Sequence, residues 1–303
     1  MPELLAKFKT FPKLEDFVQI FQGAGTRADK VFLVEKHGLS GGLASVFSYE
    51  TNKEYLIELN FLKKAIRGRD IGRYTLDGDK WWLIVPYQVK KGRYSLIPYK
   101  IISSFSPRLV DYLKECKPRL DQREQGRFKG DSWYGYARPQ NLDRFEAPEK
   151  IILPDVIDRG KCYLDREKTW IVDTVYGIIK NPDQQIDIRY ILGLLNSPLL
   201  TYYLKETGTT LRNGFFRMKT AYLQPFPLRP IDFSNPSDIN RHHQIINLVE
   251  GMLTLHQQLA AALTPNEKTL LQRQVDATDS EINALVYQLY GLTEEEIKIV
   301  EGR

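Results

Sequence analysis

The sequence predicts an α+β fold: a mixed, mainly antiparallel sheet region followed by an antiparallel, heptad-patterned helical hairpin. Three observations carry this. Short runs rich in aromatic and β-branched residues, bounded by Gly, Asp, Asn or Lys-Gly, recur through the first half, as strands require. The segment "LQPFPLRPIDFSNPS" (Leu223–Ser237) is too dense in proline for a long helix or a central strand. Beyond it, two stretches repeat apolar residues at alternating spacings of three and four. The proline segment therefore divides the chain into residues 1–235 and a hairpin of residues 236–303.

Four runs read as strands early in the chain: "KVFLV" (Lys30–Val34), "EYLIEL" (Glu54–Leu59), "WWLIVPY" (Trp81–Tyr87) and "YSLIPY" (Tyr94–Tyr99). Asp77-Gly78 stands where a hairpin turn would sit. From Ser106 to Glu124 the spacing turns helical, with Leu109, Tyr112, Leu113 and Cys116 on one face, and Pro118 should end or kink that helix. Strands follow at Lys150–Pro154, Lys161–Asp165 and Thr169–Ile179. Residues Ile186–Gly208 read as a helix broken near Ser197-Pro198, where Ser197 could cap a second helix.

The hairpin is the plainest signal. Ile245, Leu248, Met252, Leu255, Leu259 and Ala262 form one seam; Leu271, Val275, Thr278, Ile282, Leu285 and Leu289 form the other. Between them "TPNE" offers Thr264 as cap, Pro265 at the first helical position and Glu267 closing a capping box. A second box, Thr293 to Glu296, opens after Gly291. The seams leave open whether they face each other, the preceding region or another protein.

The chain has 303 residues and a net charge of +5, unevenly spread. Residues 63–138 carry 18 basic against 8 acidic side chains, whereas residues 237–303 carry 5 against 10. A basic block inside a folded region points to an anionic partner, nucleic acid being the usual one; its bland alternative is a solvated basic face. No apolar run of about 18 residues predicts a membrane span, and the first residues lack the pattern of a secretory signal. Cys116 and Cys162 are the only cysteines and do not form a CxxC pair, which argues against a disulfide framework or a cysteine zinc site. The expected compartment is the cytoplasm, with no membrane partner.

Catalytic patterns are missing. "GAGTRADK" (Gly23–Lys30) looks at first like a phosphate-cradling loop. Ala28 stands where a third glycine is needed, Asp29 would repel phosphate, and Val31 replaces the magnesium-binding hydroxyl. "PDVIDRGKCYLDREK" (Pro154–Lys168) approaches a magnesium-nuclease motif through Asp155, Asp165 and Glu167, but Arg166 and Arg159 stand where an acid should precede Lys168 and Lys161. There is no GxSxG or HExxH, and three of the four histidines lie on the hairpin. No catalytic, cofactor-binding or metal-binding residue is assigned.

What remains is basic and aromatic. Lys63, Lys64, Arg67, Arg69 and Arg73 fall within eleven positions, with Gly68 and Gly72 offering close backbone approach to a phosphate. Lys90, Lys91 and Arg93 crown a predicted hairpin tip. Arg127, Lys129 and Arg138 interleave with Trp133, Tyr134 and Tyr136, of which at least one should be buried. Arg27, with Thr26 beside it, completes the expected DNA-contact set. Arg69 beside Asp70 also fits a structural ion pair.

Six pieces, in order, resemble one family: "QGAGTRADKVFLV", "LKKAIRGRDIGRY", "WYGYARPQNLDRFEAPEKIILPDV", "YILGLLNSPLLTYYLKETG", "LQPFPL" and "INALVYQLYGLTEEE". The chain resembles the TaqI-like C-terminal specificity domain of adenine-specific DNA methyltransferases in restriction–modification systems. The resemblance implies that residues 1–235 are a target-recognition domain for double-stranded DNA. It would place a target adenine near a methyltransferase domain of the same parent chain, where the adenine is flipped out of the helix. That domain's Asn-Pro-Pro-Tyr/Phe motif is absent here, and S-adenosylmethionine is expected there, not in this chain. Two alternatives stand beside this reading: a magnesium-dependent nuclease using Asp155, Asp165 and Glu167, and a protein-assembly module acting through the hairpin.

Overall fold

A computed structural model describes residues 2–303. The chain opens with a helix, α1 (Pro2–Phe8), and a strand, β1 (Val18–Gln22). "GAGTRADK" follows, and here expectation and structure part. Asp29–Phe32 forms a single helical turn, α2, and the strand β2 (Leu33–Ser40) begins only at Leu33. The turn forms because Thr26 Oγ1 accepts from Ala28 N–H and donates to the Asp29 carboxylate, a local alternative to strand pairing.

β2 continues through β3 (Leu43–Ser48), β4 (Lys53–Glu58), β5 (Leu62–Ile66) and β6 (Trp81–Ile84). These strands pair antiparallel, and Ala44, Val46 and Ser48 of β3 alternate into the interior. Asp77-Gly78 is not a two-residue hairpin turn. Residues 67–80 form a folded excursion between β5 and β6, in which Asp77 N–H donates to Asp70 O at 2.7 Å. Two-residue hairpins occur instead between β2 and β3, turned by Gly41 and Gly42 with φ of 56° and 79°, and between β7 (Tyr87–Lys90) and β8 (Arg93–Leu96), turned by Lys91 and Gly92 with φ of 49° and 70°. A short helix, α3 (Tyr99–Phe105), leads into α4 (Pro107–Glu115) and α5 (Lys117–Asp121). Leu109, Tyr112, Leu113 and Cys116 are buried as the spacing predicts, and the break falls at Cys116, with Pro118 in the first turn of α5.

Strands β9 (Lys150–Pro154), β10 (Val156–Ile157) and β11 (Tyr163–Asp165) come next. The run Thr169–Ile179, read as one strand, serves two sheets. β12 (Trp170–Ile171) lies parallel to β5 at the edge of the first sheet, giving the order β12-β5-β6-β2-β3-β4. After a turn at Asp173-Thr174, β13 (Val175–Lys180) joins the second sheet, of order β1-β13-β9-β11. Gly23 and Ala24 bridge this crossing: their N–H groups donate to Val175 O and Ile171 O, each at 2.9 Å. A Cβ at Gly23 would lie 2.2 Å from Val172 O, so only glycine fits.

The chain then becomes helical: α6 (Ile188–Asn196), α7 (Pro198–Thr207), a short strand β14 (Phe216–Arg217) paired with β10, and α8 (Thr220–Leu223). The break at Ser197-Pro198 is as expected, but Ser197 does not cap α7 through its side chain. Its hydroxyl donates backwards, to Leu194 O at 2.7 Å. The proline segment runs along residues 12–14, with Phe226 and Leu228 buried.

Last come α9 (Pro236–Ala261), α10 (Pro265–Leu289) and α11 (Glu294–Glu301), with both predicted capping boxes formed. The seams of α9 and α10 face each other and, at the base, α6. A Cβ on Gly193 of α6 would meet Ile245 at 3.0 Å and Val249 at 3.2 Å. At the far end, Leu263 and Leu270 are 90% and 58% exposed. Two hydrophobic cores result. One holds the six-stranded sheet with α4 and α5; the other joins residues of α1, the four-stranded sheet, α6, α7 and the C-terminal helices.

Glu250 of α9 clamps this second assembly. It accepts from both terminal nitrogens of Arg166 at 2.8 Å and from Arg189 of α6 at 3.3 Å. The Arg166 bonds come first among the causes that hold the Glu250 carboxyl below its ordinary 4.5. A carboxyl depressed in the folded state contributes stability that is complete above 4.5 and is lost as pH falls through the folded value. Denaturant midpoints measured from pH 7 down to about 3 should fall less steeply for Glu250→Gln than for the unmodified chain.

Candidate nucleic-acid interface

A cleft of about 720 Å³ opens where the two sheets meet. The loop after β5 supplies Arg67 and Arg69, α2 supplies Asp29 and Lys30, and the β9–β10 corner supplies Asp155 and Val156. Lys161 and Phe215 also line the cleft.

Arg67 is the most constrained of these side chains. Its guanidinium carbon lies 3.3 Å from the centroid of the Trp81 ring, and Trp81 is buried. Burial, and after it the nearby Arg69 cation, press its pKa below the ordinary guanidinium value. The Asp70 carboxylate accepts from the Arg67 backbone N–H at 3.2 Å, but no carboxylate of the described residues lies within 4.0 Å of the Arg67 guanidinium or the Lys30 ammonium. The two carboxylates in the wall have other partners: Asp29 accepts from Thr26, and Asp155 from Arg217 at 2.6 Å. Arg69 is 68% exposed and only 3.9 Å from Asp70, so the ion pair considered for it is long and open to water.

The other expected contact residues divide. Lys90, Lys91 and Arg93 lie exposed around the β7–β8 turn, and Arg127 and Lys129 lie exposed in the loop after α5. None of these five has an acidic group of the described residues within 4.0 Å. Lys63 lies 3.7 Å from Glu146, Lys64 pairs with Glu167, Arg27 lies 3.9 Å from Asp173 and Arg138 lies 3.8 Å from Glu124. Arg73 points elsewhere. It donates to Asn196 O at 2.8 Å and to Asp279 of α10 at 2.6 Å, bracing the base of the hairpin. Thr26, expected beside DNA, is fully buried.

Both glycines invoked for phosphate approach are explained by packing. A Cβ at Gly68 would sit 3.0 Å from Thr174 O, and one at Gly72 would collide with Thr75 Oγ1 at 2.1 Å. All three aromatics of "WYGY" are buried. Tyr134 and Tyr136 donate their hydroxyls to Ile97 O and Ile84 O, fixing the β7–β8 hairpin to the sheet.

Sequence reasoning missed the residue that organises this region. Arg123 is 2% exposed. Its guanidinium donates to Leu120 O at 2.9 Å, Thr26 O at 3.1 Å, Gly135 O at 2.7 Å and Trp133 O at 2.6 Å, with the rings of Phe32 and Phe128 nearby. One cation thus joins α5, the Gly23–Lys30 loop and the "WYGY" segment. Nothing local in "DQREQ" distinguishes it from a surface arginine. Lys30, Lys161 and Phe215 were also missed, because they meet only through sheet pairing.

The carboxylates of the nuclease reading do not converge. Asp165 pairs with buried Lys150 at 2.5 Å, Asp155 with Arg217 and Glu167 with Lys64. Among the described residues no cluster of three His, Cys, Asp or Glu side chains is arranged to hold a metal ion.

The family model described as "TaqI-like C-terminal specificity domain" matches residues 63–228. The chain belongs to this family. Among curated relatives, the type II restriction enzyme and methyltransferase RM.Eco57I of Escherichia coli is 24% identical over 298 residues, covering 93% of this chain and 30% of that one. The type II methyltransferase M.BanIII of Aneurinibacillus aneurinilyticus is 28% identical over 166 residues, covering 49% and 28%. The chain thus spans less than a third of the length of either. Among solved structures, the type IIL restriction-modification enzyme MmeI, determined in complex with DNA, superposes with a TM-score of 0.60 at 12% identity, covering 93% of this chain and 34% of MmeI. At that identity the likeness speaks for the fold.

The family match encloses Arg67, Arg69, the β7–β8 hairpin, Arg123 and Phe215, while the Gly23–Lys30 loop and α9–α11 lie outside it. Arg123→Ala removes this donor from the Thr26, Trp133 and Gly135 carbonyls, while Leu120 O keeps the Gln122 N–H. The substitution should lower the unfolding free energy by about 3 kcal/mol in urea titration, and Arg123→Lys should fall between.

Proposed function

We propose that this chain reads double-stranded DNA as the specificity part of a restriction–modification adenine-N6 methyltransferase. On this reading it places the target adenine for a methyltransferase domain of the same parent chain, in the cytoplasm. The observation that carries the proposal is Arg67: a cation held flat on Trp81, with no side-chain hydrogen bond among the described residues, in a cleft inside the family-matched region. Guanidinium edges held in this way suit bidentate recognition of guanine in the major groove. Arg69 is exposed, so it suits a phosphate, as do Lys90, Lys91, Arg93, Arg127 and Lys129.

On this reading S-adenosylmethionine binds in the methyltransferase domain of the parent chain, which also supplies the chemistry. The nuclease alternative has no assembled carboxylates behind it. Assembly through the hairpin retains one observation, the exposure of Leu263 and Leu270 at its tip.

Arg67 and Arg69 should separate in experiment. Duplex binding by the chain should weaken steeply with salt. Arg69→Ala should reduce the slope of log affinity on log salt by about one, whereas Arg67→Ala should leave the slope and relax the preferred sequence. In the parent enzyme, Arg67→Ala should reduce methylation of the preferred site at least about tenfold. Normal site-specific methylation by that variant would remove Arg67 from the reading set.

A further inference from the structure

The cleft has an apolar corner that its charge does not explain. Phe215 is 36% exposed and Val156 42% exposed, and both line the cleft that contains Arg67 and Arg69. Phe215 belongs to a small hairpin in which Thr210 pairs with Phe216 and Leu211 N–H donates to Phe215 O at 2.7 Å. Its three-residue loop, Arg212–Gly214, places Asn213 and Gly214 at φ of 63° and 75°, both left-handed. The root of the hairpin is anchored three ways. Phe216 is buried opposite Ile157, Arg217 donates to Asp155 at 2.6 Å, and Met218 N–H donates to Asp155 O at 2.8 Å. Arg212 beside the turn is exposed, with no acidic group of the described residues within 4.0 Å.

A large aromatic ring held partly in water by an anchored hairpin, among cations, suits a partner that is anionic outside and apolar inside. Duplex DNA is such a partner: its phosphates satisfy the cations, and a base step offers aromatic faces. We propose that the Thr210–Phe216 hairpin is a second DNA-contact element, with Phe215 wedged against a base step and Arg212 on a phosphate. Apolar wedges of this kind unstack a step locally and let the duplex bend toward the protein. The proposal rests on the DNA-reading function above.

The test uses the whole chain and the duplex it selects from a random library, with 2-aminopurine replacing each adenine in turn. The unmodified chain should raise fluorescence at one step. Phe215→Ala should abolish that rise and weaken binding about tenfold at an unchanged salt slope. Phe215→Trp, which keeps an aromatic ring, should retain both, so that loss of the ring is separated from loss of the fold. Arg212→Ala should keep the rise and reduce the slope by about one. Equal affinity and an unchanged fluorescence profile in Phe215→Ala would overturn the wedge alone. Failure of the unmodified chain to bind any duplex would overturn the DNA-reading function, and the wedge with it.

Discussion

The architecture hinges on a buried cation, Arg123, that has no ion-pair partner among the described residues. Taking the Arg123 guanidinium out of water is costly, and no carboxylate of the described residues hydrogen-bonds it; four backbone carbonyls and two flanking aromatic rings surround it instead. Those carbonyls come from three separate segments, so the arginine is satisfied only when all three are in place. One is the loop whose Gly23 and Ala24 tie the two sheets together. Another is the "WYGY" segment, whose tyrosines hold the β7–β8 hairpin. The positions of both the cleft and the basic hairpin tip therefore depend on the same side chain.

A second buried charge performs the same office on the far side of the crossing. Lys150 and Asp165 are both almost wholly buried and pair at 2.5 Å. Lys150 also donates to Phe145 O, and Asp165 accepts from Thr169 N–H and its hydroxyl. Burial lowers the Lys150 pKa, while the Asp165 charge opposes the shift. The pair fixes the chain just before it leaves one sheet and enters the other, which sets the wall holding Asp155 and Val156. Charges thus fall into two populations. Buried ones shape the crossing, and unpaired ones, Lys30 and Arg67 above all, line the space that it opens.

How much of this the sequence revealed follows from the range of the interactions involved. The two heptad helices, the boxes at Thr264 and Thr293, and the buried face of Leu109, Tyr112, Leu113 and Cys116 were legible because each is set within a few turns of one helix. The grouping of Arg67 with Arg69 was legible because they are neighbours in the chain. The switch of sheets inside Thr169–Ile179 was not, since an apolar strand run looks the same whichever sheet accepts it. Composition also overstated the basic surface. Arg73 and Arg123 count toward the positive block but are committed to internal bonds. As for "GAGTRADK", only the structure shows that its first glycine passes between β12 and β13.

On the proposed function, duplex DNA lies in the cleft at this crossing, with the hairpins around it. Hydrogen exchange of the chain with and without its selected duplex is the test. Exchange should slow at residues 67–71, 89–93 and 211–216 and stay unchanged at the α9–α10 tip. Protection confined to α9–α11, with the cleft unaffected, would contradict that placement.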